Sequence, residues 1–565
     1  MSPVVEAEQE PTASKDGAAG WTKRSGLLLL GVLALSAIVI VRAIRVGEFS
    51  YNVDETQHAM TGFFVADLIR DHPVRHPVEY AYQYYAQYPA LAGVIHWPPL
   101  FYLFEAVSFL LLGPSVVSAR LIILAFALGA ITVWFVLVRE MQDDWTAALA
   151  SLLLACAPGV LLFEKSVMLE IPCLAFCLAA TLFWVRYLLR RKAADVYGFA
   201  ILASAAALTK QNAVYLILFC VFSGLGLEGW RIFVRSEVLR AAATGIALSA
   251  PFYCVVYLLH WKTVAADLME RSGSKAEAVA FYWSTLPEQV GWTIFLLAVV
   301  GIVTCRKWAR PKLTAIMLSW IAACYLTFTL IGHKEARYAL YWIPPLTYFA
   351  VGPLVGYFRK PALRMASVCA SVLLLAASLA YAWSFQRPYV SGYELVAERV
   401  AQASKSGIVL FDGPLPGNFI FFLRANDPER HFVVLRKALY ATRLKPSGGA
   451  VELVHNADEI DRLIHAYGIR FFVVSEGVPL QFDSQKILRN VLQTASFHKI
   501  GSYPIVGSGL SPHLNLALYE NAAWTPPTEK YLRVKMLTLD HDIVVPMDRF
   551  VVGDSPNPAT GGMPR

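Results

Sequence analysis

Cysteine is missing from the last third of the chain. The eight cysteines all lie within or beside apolar runs between positions 156 and 369. The C-terminal part therefore has neither a disulfide framework nor a cysteine-containing zinc motif. Cys173 and Cys177 share a helical face at positions i and i+4 and could bind a metal. Cysteines in membrane segments usually act as small apolar residues, and we favour that interpretation.

Charged residues are also scarce. Only 16% of the 565 residues are Asp, Glu, Lys or Arg, whereas 57% are hydrophobic. A soluble protein of this size is less apolar, so the composition predicts a polytopic α-helical membrane protein. Runs long enough to cross a ~30 Å hydrocarbon core recur from Gly26 to about Trp383 and predict about eleven to thirteen spans. The first run lacks a convincing cleavage site, which indicates a retained signal anchor.

The connections between the apolar runs alternate in charge. One set contains basic clusters around positions 186–192, 231–240, 306–312 and 359–364, and the positive-inside rule places these in the cytoplasm. The other set then faces outward and includes the loop 47–115, residues 164–170, 210–212 and 333–337, and everything after Gln386. This assignment requires the short apolar segment from Pro98 to Leu112 to be an interfacial or re-entrant helix.

The same pattern predicts the domain organisation. Residues 1–24 form a cytoplasmic tail, residues 25–385 form the membrane domain, residues 386–553 form a soluble extracytoplasmic domain, and residues 554–565 are disordered. Residues 407–412 and 469–475 are typical of buried strands and residues 457–467 of a helix, which predicts an α/β domain. The chain is expected in the inner (plasma) membrane, with this domain in the periplasm.

Ionisable residues gather at the outer ends of the spans. Such residues are costly near a membrane, so each is a functional candidate. Acids and bases together can activate a hydroxyl group and bind a phosphate. The main candidates are Asp54, Glu55, Glu170, Lys210, His333, Lys334 and Arg337.

Each of these residues also has a simpler explanation. Asp54, with Gln57 three residues later, matches a helix capping box, although a capping residue can also be a catalytic base. Glu55 suits the first turn of a helix. Lys210, Lys334 and Arg337 could extend towards lipid headgroups or bind a lipid phosphate. A tyrosine-rich stretch at positions 80–88 could be an interfacial aromatic belt or could stack on sugars.

In their order and sidedness, these motifs resemble the GT-C polyprenyl-phosphate-sugar glycosyltransferases, such as protein O-mannosyltransferases and the lipid A aminoarabinose transferase. The resemblance covers roughly residues 22–390. It rests on Asp54-Glu55 after the first span, Pro98-Pro99 before a short apolar helix, Glu170 before Pro172, and Arg337-Tyr338 late in the membrane part.

The resemblance implies a GT-C-like fold and specific roles for these residues. Asp54 is the expected catalytic base, with Glu55 and Glu170 as further acids. Many bacterial relatives place a lysine before the paired prolines, where this chain has His96-Trp97. The donor phosphate would therefore be bound by the substrate-binding candidates His96, Lys210, His333, Lys334, Arg337 and Tyr338.

The implied reaction moves a sugar from a polyprenyl-phosphate donor to a hydroxyl group of a lipid, glycan or protein acceptor, with inversion at the anomeric carbon. The expected partners are this donor, the acceptor and membrane lipids, and not nucleic acid. The sequence requires no cofactor. A divalent metal cation is the cofactor that Asp54, Glu55 or Glu170 could hold. The alternative is a transporter of lipid-linked or anionic substrates, for which internal repeats would be typical. The sequence shows no clear repeat.

Overall fold

The computed structural model describes residues 21–50, 53–73, 75–92, 97–269, 275–358, 361–442, 449–536, 542–547 and 550. His96, the end of the chain after 550 and residues 1–20 of the predicted cytoplasmic tail lie outside these residues.

The described chain up to Ser384 is helical. Its α-helices are α1 (Lys23–Ile44), α2 (Asp54–Asp71), α3 (Pro77–Gln87), α4 (Leu100–Leu112), α5 (Val116–Met141), α6 (Asp144–Cys156), α7 (Pro158–Phe163), α8 (Glu170–Arg190), α9 (Ala193–Ala207), α10 (Tyr215–Glu228), α11 (Ser236–Met269), α12 (Lys275–Val290), α13 (Trp292–Thr304), α14 (Pro311–Leu330), α15 (Ile343–Phe358) and α16 (Pro361–Ser384). Short 3-10 helices cover Gln211–Val214, Trp230–Val234, Cys305–Lys307 and Ala336–Trp342.

Seven of the described helical segments are long and apolar enough to cross a membrane, namely α1, α5, α8, Gln211–Glu228, Ser236–Leu258, α14 and α16. α12 and α13 meet at a bend of 115° around Gly291 and together would make an eighth span. The chain is therefore a multi-pass membrane protein, as predicted.

The span count differs from the expected eleven to thirteen because several apolar runs form helices too short for a full crossing. Leu100–Leu112, Asp144–Cys156 and Ala193–Ala207 have 13, 13 and 15 residues. The first of these is the segment for which the sequence predicted a short helix.

The C-terminal part contains a mixed five-stranded sheet. The strands are β1 (Val390–Ser391), β2 (Gly407–Asp412), β3 (Phe432–Leu435), β4 (Tyr440–Thr442), β5 (Ala450–Glu452), β6 (Ile469–Glu476), β7 (Phe497–Pro504), β8 (Val506–Gly507), β9 (Asn515–Asn521), β10 (Tyr531–Val534) and β11 (Ile543–Pro546). The order in the main sheet is β3-β2-β6-β9-β7, with β3, β2 and β6 parallel and β9 antiparallel to both of its neighbours. β10 and β11 form a separate hairpin.

Four helices accompany these strands: α17 (Tyr393–Ala403), α18 (Pro416–Ala425), α19 (Ala457–Tyr467) and α20 (Asp483–Val491). The predicted α/β character is confirmed. The segments expected as strands form β2 and β6, because their apolar residues make nearly continuous buried runs, and the expected helix forms α19, because its apolar residues follow the helical period.

The sheet domain packs directly on the loop that carries Asp54. Arg424 on α18 forms a 2.6 Å ion pair with Asp67 on α2, and both side chains are buried. A Cβ atom on Gly417 would lie 2.1 Å from Thr56 Oγ1, so only glycine allows α18 to approach the first turn of α2 this closely. The position of α2 therefore depends on the C-terminal domain.

Candidate functional site

Asp54 is the first residue of α2 and is 9% exposed. The capping box that was the alternative explanation of Asp54 is not formed, because the residue at the N-cap is Val53 and it makes no side-chain cap hydrogen bond. The Asp54 carboxylate instead accepts a hydrogen bond from Arg337 Nη1, with 3.2 Å between Nη1 and Oδ2. This contact joins the beginning of the first loop to the segment after α14.

Arg337 is the centre of the site. It lies in the 3-10 helix Ala336–Trp342, and its Nη2 donates to Glu335 Oε1 at 2.8 Å. Its Nε lies 3.5 Å from Glu170 Oε1. Burial alone would lower the pKa of Arg337, but the carboxylates of Glu170, Glu335 and Asp54 outweigh it and raise that pKa. The guanidinium group is therefore held in its charged form between three acids.

Glu170 and Lys210 form the buried side of the site. Glu170 begins α8 and is 0% exposed, and Pro172 fits in its first turn, where a backbone N–H has no helical partner. Lys210 follows α9 and is 5% exposed. Lys210 Nζ lies 2.5 Å from Glu170 Oε1, while Glu170 Oε2 has no hydrogen-bond partner among the described atoms. One polar oxygen in the site is thus left for another group.

Glu55 faces away from this cluster, towards a second buried network. Its carboxylate accepts hydrogen bonds from the backbone N–H groups of Ser50 at 2.8 Å and Val167 at 3.0 Å. Arg387 Nη1 lies 3.3 Å from Glu55 Oε1 and also donates to the Lys165 carbonyl at 2.8 Å. Glu55 therefore links α2 to the loop before α8 and to the connection into the C-terminal domain.

Two of the predicted basic residues do not join the cluster. Lys334 Nζ donates to the carbonyls of Phe328 at 2.9 Å and Thr329 at 2.6 Å, so it caps the end of α14. The side chain of His333 is 63% exposed and contacts Glu335 at 2.7 Å. Tyr338 stacks on Phe328, with ring centroids 5.5 Å apart.

His58 was missed in the sequence although it lies one helical turn after Asp54 on the same face. It is 0% exposed, and its Nδ1 lies 2.8 Å from the Tyr102 hydroxyl. Burial lowers the pKa of His58 to about 3, so the imidazole is neutral. Its Nε2 has no hydrogen-bond partner among the atoms that the structure describes. The i, i+4 spacing from Asp54 was the signal that could have identified it.

The tyrosine-rich stretch makes contacts within the protein. Tyr84 donates to Asp67 at 2.9 Å and Tyr88 donates to Asp427 at 2.8 Å, and both tyrosines are buried. Tyr80 donates to Asp71 at 2.8 Å. These three tyrosines therefore help to attach α3 to α2 and to the C-terminal domain.

The three predicted acids do not converge. Within the described residues, no group of three or more His, Cys, Asp or Glu side chains is arranged to hold a metal ion. Asp54 and Glu170 contact Arg337, whereas Glu55 contacts Arg387. Asp54, Glu170, Lys210 and Arg337 form a cluster, here called the outer cluster. It combines a candidate base and a second acid with one buried cation, Lys210, and one mostly buried cation, Arg337.

Comparison with known proteins identifies a matching family and similar folds. A family described as dolichyl-phosphate-mannose-protein mannosyltransferase matches residues 96–255. The fold is similar to that of ArnT from Cupriavidus metallidurans in a crystal structure bound to undecaprenyl phosphate, with a TM-score of 0.60, 14% identity, and coverage of 89% of this chain and 100% of that one. The arabinofuranosyltransferase AftD from Mycobacteria gives a TM-score of 0.53 at 13% identity, over 92% of this chain and 41% of that one. Among curated proteins, no sequence matches.

The predicted resemblance to GT-C glycosyltransferases is thus confirmed, and the chain has the GT-C fold.

Proposed function

We propose that this GT-C-fold protein transfers a sugar from a polyprenyl-phosphate donor to an acceptor hydroxyl group, with Asp54 as the general base. The observation that supports this most is the outer cluster, which places a nearly buried carboxylate against Arg337 at 3.2 Å and a second cation, Lys210, beside Glu170. The similarity to an ArnT structure that contains undecaprenyl phosphate supports a lipid phosphate as the donor's leaving group.

In this mechanism the acceptor oxygen attacks the anomeric carbon while its proton passes to Asp54. The bond between that carbon and the phosphate oxygen breaks, and the polyprenyl phosphate leaves with one additional negative charge. A single displacement inverts the anomeric centre.

The contact between Arg337 and Asp54 connects the two halves of this step. When Asp54 takes the proton it becomes neutral and attracts Arg337 less strongly. The leaving phosphate gains charge at the same moment and attracts Arg337 more strongly. Arg337 therefore interacts more strongly with the transition state than with the bound donor, and such a difference is what raises kcat.

The other predicted residues take supporting roles in this proposal. Glu55 and Arg387 hold the first turn of α2 in place, and Lys334 caps α14 beside the segment that carries Arg337. Glu170 holds Lys210 and Arg337 in position through its contacts with both cations. The donor phosphate is bound by Lys210 and Arg337, while His333 lies at the exposed rim.

The location follows from the charge pattern. We place the outer cluster and residues 386–553 on the periplasmic side of the inner membrane, because the basic loops lie at the opposite helix ends. A reporter fused after Gln386 tests this placement, and a cytoplasmic signal would overturn it.

Purified protein in lipid vesicles, supplied with labelled polyprenyl-phosphate sugars, tests the reaction. The proposal predicts cleavage of the bond between sugar and phosphate, with release of polyprenyl phosphate. Movement of intact lipid-linked sugar across the bilayer without cleavage would identify a transporter instead.

A further inference from the structure

A cleft of about 870 Å³ opens in the C-terminal domain. Its walls are the segment after β3, helix α19 and the β10–β11 hairpin, and the end of α3 closes one side at Ala86 and Pro89. This volume is typical of ligand-binding pockets. Among the described lining residues there is none from the outer cluster, so the cleft is a separate feature.

The cleft has an apolar floor and an aromatic edge. Val434 and Leu532 are 1% exposed and form part of the floor. Tyr531, at the beginning of β10, is 57% exposed, and Tyr467 lies at the end of α19. A tyrosine ring offers a flat apolar face next to a polar hydroxyl group, which suits the mixed surface of a sugar ring.

The rim of the cleft carries more positive than negative charge. Five basic residues and three acidic residues line it. The basic residues are Arg436, Lys437, Arg462, Arg533 and Lys535, and the acidic residues are Glu459, Glu529 and Asp542. Two of the acids already have partners. Glu459 accepts the His455 N–H at 2.7 Å, and Asp542 lies 3.5 Å from Lys535.

Two of the cations remain available to a ligand. The Arg462 side chain is 75% exposed, and its closest acid, Glu459, is 4.0 Å away. The Arg533 side chain is exposed on strand β10 and forms no side-chain hydrogen bond or ion pair with another residue that the structure describes. Guanidinium groups that are exposed and have no close acidic partner favour carboxylate or phosphate groups on the ligand.

The cleft lies against α3, the helix that runs beside α2. α3 is antiparallel to α2, because Tyr80 contacts Asp71, Tyr84 contacts Asp67, and the chain after α3 returns to Thr61, which accepts the Ala92 N–H at 2.8 Å. Thr61 is about two helical turns, roughly 10 Å, from Asp54 along α2. α3 therefore connects the cleft, which it lines at Ala86, to the helix that carries Asp54.

We propose that this cleft binds an acidic carbohydrate chain, through its tyrosines and through Arg462 and Arg533. If the proposed transferase function also holds, the bound chain is the distal part of the acceptor, and this assignment rests on that function. The binding itself does not depend on that function.

Binding to the full-length protein in lipid nanodiscs tests the proposal, with oligogalacturonate as the acidic probe and a malto-oligosaccharide of equal length as the neutral one. We expect oligogalacturonate to bind more tightly than the neutral chain, with an affinity that falls as salt rises. The double variant Arg462→Glu and Arg533→Glu should weaken binding about tenfold or more. Arg399→Glu, an exposed arginine on α17, is the matched control and should leave the affinity unchanged.

Equal binding of both probes, or an unchanged affinity in the double variant, would overturn the proposal. Tighter binding of a poly-glutamate peptide than of oligogalacturonate would assign the cleft to an acidic protein segment instead. Oligogalacturonate binding without any sugar transfer would contradict the proposed function alone, whereas transfer without such binding would contradict the cleft alone.

Discussion

Replacing Arg337 by lysine keeps the positive charge of the outer cluster but removes its fork of donors. The guanidinium group reaches Asp54 at 3.2 Å, Glu335 at 2.8 Å and Glu170 at 3.5 Å with three different nitrogens. A lysine has a single nitrogen and cannot maintain all three contacts. Because the charge remains, the acids are not left uncompensated, and we expect a loss of folding stability below about 2 kcal/mol.

The effect on catalysis should be larger. Loss of one donor that acts on charge developing in the transition state typically lowers kcat by about 10²–10³-fold, or about 2.7–4 kcal/mol. The substrate in its ground state carries less charge, so KM should change by less than about threefold. Arg337→Lys therefore lowers kcat and kcat/KM together.

Steady-state transfer from a polyprenyl-phosphate sugar measures both constants. Arg186→Lys is a matched control, because Arg186 also makes a forked pair, with Glu140, but in the opposite set of loops. This control should retain kcat within about twofold. A rise in KM with unchanged kcat for Arg337→Lys would refute the role of Arg337 in the transition state.

Three further predictions separate structural from catalytic roles. Glu55→Gln should lower the free energy of unfolding, measured by denaturant unfolding, by about 1–3 kcal/mol, because Arg387 loses its charged partner. The folded variant should keep kcat within about tenfold, and a larger loss of kcat in fully folded protein would restore Glu55 as a catalytic acid. Lys334→Met should cost about 1 kcal/mol of stability and little activity, because it removes a helix cap; a loss of kcat as large as that of Arg337→Lys would contradict this. The pKa of His58 is about 3 in the folded protein and about 6.5 in the unfolded chain, so between these pH values only the unfolded chain binds the proton. The free energy of unfolding should therefore fall by about 1.4 kcal/mol per pH unit as the pH decreases from 6.5 towards 3. His58→Gln should flatten this pH dependence in thermal unfolding, and equal slopes in the two proteins would refute it.

The membrane fold and the motif order could be predicted because they depend on local sequence. Apolar runs and basic loops identify spans and sides without knowledge of packing. The strands β2 and β6 likewise follow from continuous apolar runs bounded by turn residues. The number of spans was harder to predict, because a bend between two helices such as that at Gly291 divides an apolar stretch without changing its hydropathy.

The division of roles within the site could not be predicted in this way. Lys334 and Arg337 are three residues apart, yet one turns back onto the carbonyls of α14 and the other reaches Asp54. Glu55 is adjacent to Asp54, but its partner Arg387 is 332 residues away in the sequence. Such pairings arise from tertiary packing, and a single sequence shows only that the charges are present.

The most direct test of the proposed mechanism compares two aspartate variants of α2. Asp54→Asn removes the candidate base, while Asp71→Asn, on the same helix and paired with Arg430 at 2.5 Å, removes an aspartate outside the outer cluster. Transfer of labelled sugar by each folded variant in lipid vesicles is the measurement. The mechanism predicts a loss of about 10²-fold or more in kcat for Asp54→Asn and nearly unchanged turnover for Asp71→Asn. Full activity of Asp54→Asn would contradict the assignment of Asp54 as the general base.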